Sequence, residues 1–157
     1  MSRRGKTVQR RVEPDTKYNS LEVEKFITRV MRDGKKTLAR KIVYQAMENF
    51  AKKVKIENPL EAFEKALENA MPLLEVKSRR IGGATYQVPV EIHQSRRRSL
   101  GMKWLITNAK SKAGKNMIDG LTQELQDCFN NQGSTIKKRD DVHRMAEANK
   151  AFAHYRW

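Results

Sequence analysis

The chain has 157 residues and carries 33 lysines and arginines against 18 aspartates and glutamates, a net charge of +15 with the histidines neutral. That length suits one domain with a real core, and no run of eighteen apolar residues is present, which excludes a helical membrane span. A single cysteine, Cys128, excludes an internal disulfide framework and a cysteine-cluster zinc site, and it suits a reducing compartment.

The opening Met1-Ser-Arg-Arg-Gly-Lys has the charge of a signal peptide with no apolar region behind it. Residues 1–18 carry a net +4 without apolar periodicity, and are expected to form a disordered basic arm that folds on binding. Asn19, with Glu22 three residues on, has the pattern of a capping box. Leu21, Phe26, Ile27, Val30 and Met31 then make the apolar stripe of a first helix, ended by Asp33-Gly34. A second helix is expected over about 35–54, with Leu38, Ile42, Ala46, Met47, Phe50 and Val54 inward. Asn58-Pro59 opens a third. Its stripe is Leu60, Phe63, Leu67, Ala70 and Leu74, and its other face is acidic through Glu57, Glu61, Glu64 and Glu68. That face would repel phosphate, so it should meet solvent or a basic neighbour.

The segment Val76 to Ile92 is the part with β character. Tyr86, Val88, Val90 and Ile92 alternate with Thr85, Gln87, Pro89 and Glu91. Gly82-Gly83 suits a tight hairpin turn. Pro89 cannot donate to a ladder, so a bare two-stranded ribbon is expected, marginal by itself. Residues 75–103 hold a net +5, so nine of the fifteen excess charges fall in the arm and the hairpin region. This is an electrostatic footprint for nucleic acid.

Leu100, Trp104, Leu105 and Ala109 mark a fourth helix after Arg96-Arg97-Arg98, with Trp104 expected in the core. Met117, Ile118, Leu121, Leu125, Cys128 and Phe129 mark a fifth, containing Gly120. A sixth begins near Ser134 or Thr135 and points Val142, Met145, Ala146 and Phe152 inward. Trp157 has no helix to bury it and is expected to touch RNA or a neighbouring protein. The fold class is mainly α: one six-helix domain with a protruding β-hairpin at about 74–92 and a basic N-terminal extension.

Catalytic and metal readings find little support. Lys35-Lys36 after Gly34 fails the phosphate-loop pattern, because residue 29 is Arg and residue 36 is Lys. His93, His143 and His154 are scattered, and Asp140 or Asp141 near His143 suits a helix dipole or a local ion pair better than a catalytic dyad. Arg79, Arg80 and Arg96–Arg98 bracket the hairpin beside Tyr86 and Trp104, an arrangement suited to RNA contact. Dispersed basic sites, an arm and a ribbon fit an irregular folded RNA better than duplex DNA. The alternatives are a nucleoid-type DNA binder and a basic enzyme acting on nucleic acid.

Three blocks then carry a resemblance: Asp33-Gly34-Lys35-Lys36, the segment Val76 to Glu91, and the closing Lys137 to Trp157. In order and over nearly the whole length, the chain resembles small-subunit ribosomal protein seven of the bacterial type. The resemblance implies a non-enzymatic protein, without cofactor or metal, in the cytoplasmic ribosome or in that of an organelle. Its partners would be the 3′ major domain of the small-subunit rRNA, whose assembly into the head it would nucleate, neighbouring proteins of head and platform, and exit-site tRNA and messenger. By position, Arg3, Arg4, Lys6, Arg10, Arg11, Lys35, Lys36, Lys77, Arg79, Arg96, Arg97, Lys112 and Lys115 would contact rRNA. Arg80, Ile81, Gly82, Gly83 and Ala84, with His143 and Arg144, would lie nearest tRNA and messenger. His93-Gln94 departs from a common Arg-Pro. Gly101 and Gly120 depart from better helix formers, and a looser fourth and fifth helix is expected from them.

Overall fold

The computed structural model describes residues 12–112 and 114–155. Helix α1 spans Leu21–Val30 and is capped by Ser20, whose hydroxyl accepts from Val23 N. Asn19, the expected cap, instead takes a left-handed φ of +48°. Val23, Phe26, Ile27 and Val30 are buried at the 3.6-residue period, while the expected Leu21 is exposed. Helix α2, Lys36–Val54, buries Ala39, Val43, Ala46, Met47 and Phe50. Ala46, Met47 and Phe50 point inward as expected, but at the start of the helix Ala39 and Val43 are buried in place of Leu38, which is 54 % exposed, and of the half-buried Ile42.

Helix α3, Pro59–Ala70, starts at an Asn58 cap that accepts from Leu60 N at 3.1 Å. It ends where Pro72 forces Met71 into extended geometry. Leu74 therefore leaves the helical stripe and begins strand β1, Leu74–Ile81, which pairs with β2, Ala84–Glu91. All four Glu57, Glu61, Glu64 and Glu68 are exposed. Helix α4, Gln94–Ser111, begins earlier than expected, so Arg96–Arg98 sit in its first turns and His93 is its cap. Helices α5, Met117–Phe129, and α6, Gly133–Ala148, follow, and a 3-10 helix over Lys150–Tyr155 ends the described chain.

Helix α5 is central, touching α2, α3, α4 and α6. Its Leu121 and Leu125 are fully buried in a cluster with Phe26, Phe50, Phe63 and Leu105. The two helix glycines are tight crossings, which corrects the expectation of looser helices. A Cβ on Gly120 would stand 2.6 Å from the carbonyl oxygen of Ala109, and one on Gly101 would stand 3.3 Å from Leu67 Cδ1 and Met71 Cγ. At Gly120 the neighbour is backbone, so α5 needs glycine there to approach α4. Trp104, expected in the core, is only half-buried on α4 and lies outside the core cluster. Met145 is 52 % exposed, and Phe152 lies in the 3-10 helix.

Gly82 and Gly83 both take positive φ, +56° and +90°, and close a two-residue turn between Ile81 and Ala84. The hairpin is a two-stranded sheet, as expected, but its base is anchored. Val88 and Pro89 are buried, and both strands rest on α6. Tyr86 lies 5.4 Å from the Phe152 ring and 5.1 Å from that of Tyr155. Arg79 donates to the Tyr155 carbonyl. Burial and ring packing supply the stability a free ribbon lacks.

The segment expected as a floppy arm also has a packed end. Asp15 is buried and accepts from Lys17 N at 3.1 Å, Tyr18 N at 2.9 Å and the Tyr44 hydroxyl. Tyr18 meets Tyr44 edge-on with ring centroids 5.7 Å apart. Arg3, Arg4, Lys6, Arg10 and Arg11, like Trp157, lie outside the described residues.

Candidate nucleic-acid interface

Among the described residues, the expected cations Lys77, Arg96 and Arg97 sit at one end of α4 and Lys35, Lys36, Lys112 and Lys115 at the other, while Arg79 lies along the hairpin against Tyr155. At the N-terminal end of α4, Glu75 on β1 organises the hairpin root. Arg96 reaches it with Nε at 2.9 Å and Nη2 at 2.8 Å from its two oxygens, and Lys77 lies 3.6 Å away. This bidentate hold fixes the guanidinium in direction, and Glu75 pushes the Arg96 pKa up. The Arg96 side chain still shows 55 % of its surface. Arg97 braces the hairpin base, donating to the Pro72 carbonyl and Gln94 Oε1, each at 3.0 Å. Arg98 pairs with Glu22 at 2.8 Å, tying α4 to α1.

At the C-terminal end of α4 lie the α1–α2 turn and the α4–α5 loop. Left-handed φ angles at Asp33 and Gly34 let Lys35 N reach the Arg32 carbonyl at 2.9 Å, presenting Lys35 at the mouth of α2. Lys36, itself exposed, pairs with the buried Glu24, which Arg40 also approaches at 3.9 Å. Lys115, in the α4–α5 loop just after Gly114, is exposed and bonded to Gln123. At the 1.5 Å rise of a helix, Arg96 and Lys110 lie about 20 Å apart along α4.

Lys112 is placed differently. Its ammonium is 2.9 Å from Glu124, which is fully buried, and 2.9 Å from Asp127. Burial alone would lower its pKa, but the bonds to Glu124 and Asp127 outweigh that and raise it. Glu124 Oε1 also accepts from Thr135 N at 3.0 Å and Thr135 Oγ1 at 2.7 Å. This network joins α4, α5 and α6, and no sequence pattern announced it.

Arg80, Gly82, Gly83 and Ala84 are exposed at the hairpin tip, with Ile81 half-buried. His143 and Arg144 are not beside them. His143 Nε2 accepts from Leu73 N at 2.9 Å at the hairpin base, about 23 Å from the tip at 3.3 Å per strand residue. Burial and then Arg139 push its pKa down, favouring the neutral ring that this bond requires. Arg144 is exposed and faces Asp141 at 3.6 Å. Asp140 is bonded to Arg139 at 2.8 Å, so it does not orient His143 as a base. Among the described residues no group of three or more His, Cys, Asp or Glu could hold a metal ion, and no helix is long and apolar enough to cross a membrane.

Arg32 and Lys110 complete the cations at the far end of α4, where both line a cleft with Lys35 and Lys115. Sequence reasoning passed over them. Their positions, one residue before the Asp33-Gly34 turn and one before the end of α4, were the available signal.

The family described as ribosomal protein S7p/S5e matches residues 2–150. Small ribosomal subunit protein uS7 of Protochlamydia amoebophila is 63 % identical, and those of Chlamydia felis and Chlamydia caviae are 64 % and 62 % identical, each over the whole of both chains. This basic helical domain with its anchored hairpin therefore belongs to the ribosomal protein S7p/S5e family, as a structural, non-enzymatic, RNA-binding protein of the small ribosomal subunit.

Proposed function

We propose that the protein binds the 3′ major domain of the small-subunit rRNA early in assembly, nucleates the head of the subunit, and lines the exit site near tRNA and messenger. It does this in the cytoplasm, within the ribosome, against proteins of the head and platform. The observation that carries this reading is the separation of two cation clusters along α4. One rigid helix holds the hairpin-root arginines at one end and the α1–α2 turn lysines at the other, which suits two RNA elements converging on one body. Recognition by shape and backbone is how folded RNA is read. The exposed glycine tip allows close approach to a further nucleic-acid backbone without a Cβ in the way.

The test is binding to the isolated 3′ major domain rRNA beside a duplex DNA of equal charge, in about 150 mM salt. A preference of about a hundredfold for the RNA supports the scaffold. Equal binding leaves only the electrostatic attraction common to any polyanion and defeats it. Deleting residues 80–84 is expected to keep rRNA affinity while altering exit-site tRNA retention. Loss of rRNA binding in that variant would overturn the division of labour.

A further inference from the structure

We propose that the cleft between α2 and the α4–α5 junction holds one unstacked nucleotide of the bound RNA, its base on an apolar floor and its flanking phosphates on a cationic lip. The inference rests on the rRNA-binding reading and names what one part of that surface takes.

The cleft measures about 520 Å³, within the roughly 300–1,000 Å³ typical of small-ligand sites. Ala39, Ile42, Ala109 and Met117 line it, and Leu38 at 54 % exposure sits at its mouth. An exposed leucine over an apolar depression is a surface with something left to cover. Arg32, Lys35, Lys110 and Lys115 supply the polar lining against a single carboxylate, Asp33.

These cations differ from those at the hairpin root. There Arg96, Lys77 and Arg98 each have a carboxylate partner. Here, among the described residues, none of the four makes an ion pair. Four cations against one carboxylate around a single cleft make its lip a crowd of like charges that an anion would relieve, and Arg32 adds to burial in pushing the Lys110 pKa down. A ligand for this cleft must bring negative charge and an apolar face together. A ribonucleotide does so in one residue, and unstacked nucleotides are what proteins read when they read RNA sequence. Continuity with the basic turn of α2 favours RNA over an acidic peptide.

The full-length chain is titrated with the 3′ major domain transcript across a salt series, and unpaired bases are mapped by dimethyl sulfate and carbodiimide. Ile42→Trp fills the floor without changing charge. It is expected to weaken binding about tenfold with the salt slope unchanged, and to restore reactivity to one base that the wild type protects. Lys110→Gln is expected to lower the salt slope by about one. Leu38→Ala, at an exposed site that cannot unfold the domain, is expected to raise the reactivity of the same base. Wild-type binding and an unchanged base pattern in Ile42→Trp and Leu38→Ala would overturn the cleft while leaving the rRNA reading intact. A wild type that does not prefer the transcript to duplex DNA would instead overturn the reading beneath it. If Ile42→Trp keeps the RNA pattern but loses a neighbouring protein from reconstituted subunits, the cleft is a protein dock and the nucleotide proposal fails.

Discussion

Gly120 of α5 lies so close to Ala109 of α4 that a single added Cβ would meet the Ala109 carbonyl oxygen at 2.6 Å. Backbone cannot retreat as a side-chain end can. Gly120→Ala is therefore expected to destabilise by about 2 kcal/mol, the gain in helix propensity being outweighed by overpacking. In a chain of this size that is roughly 4–8 °C in the melting midpoint by calorimetry. Gly101→Ala meets Leu67 Cδ1 and Met71 Cγ at 3.3 Å, side-chain atoms that can shift by a few tenths of an ångström, and the Ala70 carbonyl carbon only at an ordinary 3.6 Å, so it is expected to stay within about 1 kcal/mol of wild type. Equal losses at the two positions would refute the backbone-contact explanation.

Lys112 and Lys35 are both basic and both expected to touch RNA, yet the fold uses them differently. Lys112→Ala leaves the buried Glu124 without its cation, at an expected cost of about 3 kcal/mol. Lys35→Ala is expected to leave the melting midpoint nearly unchanged and to reduce the salt slope of rRNA binding by about one. Thermal melts and filter binding on the same two variants decide this.

The anchored hairpin depends on the C-terminal 3-10 helix. Removing residues 150–157 strips Phe152 and Tyr155 from Tyr86 and the carbonyl partner from Arg79. Peptides from 74–91 are then expected to exchange backbone amides at least about tenfold faster, while peptides from α5 keep their protection. An unchanged hairpin would mean that α6 alone holds it.

His143 makes stability depend on pH in one direction. Its folded pKa lies below the ordinary 6.5, because burial and Arg139 disfavour the cation. On acidification the unfolded chain takes up the proton first, so stability falls as pH drops through and below 6.5, and the histidine has no effect above it. His143→Gln, which keeps an acceptor for Leu73 N, is expected to show a shallower decline in melting midpoint between pH 7 and 5.5. Identical curves for both proteins would remove His143 from the account.

Cys128 is fully buried on α5, and burial, with Glu124 next in effect, pushes its thiol up to about 12. Since the thiolate is the reactive form, alkylation by iodoacetamide at pH 8 is expected to track global unfolding. Rapid labelling of the folded protein would show that α5 opens locally.

Six helices, the hairpin and its Gly82-Gly83 turn were legible in the sequence, because caps, helix breaks and the switch from a 3.6 to a 2 period are local properties of the chain. So were the basic character and its concentration near residues 75–103. Charge type alone could not say which lysines face outward. Lys35 and Lys112 look alike in one dimension, and only the position of Glu124 on α5 separates them. The same limit explains Gly101 and Gly120, which read as weak points along a helix and prove to be contacts between helices. It explains Tyr86 as well, whose partners Phe152 and Tyr155 lie over sixty residues away and become neighbours only when α6 returns the chain to the hairpin. Local pattern determined the elements and the kind of partner. The tertiary structure decided which side chains hold the protein together and which remain exposed, since that depends on groups brought into contact from distant parts of the chain.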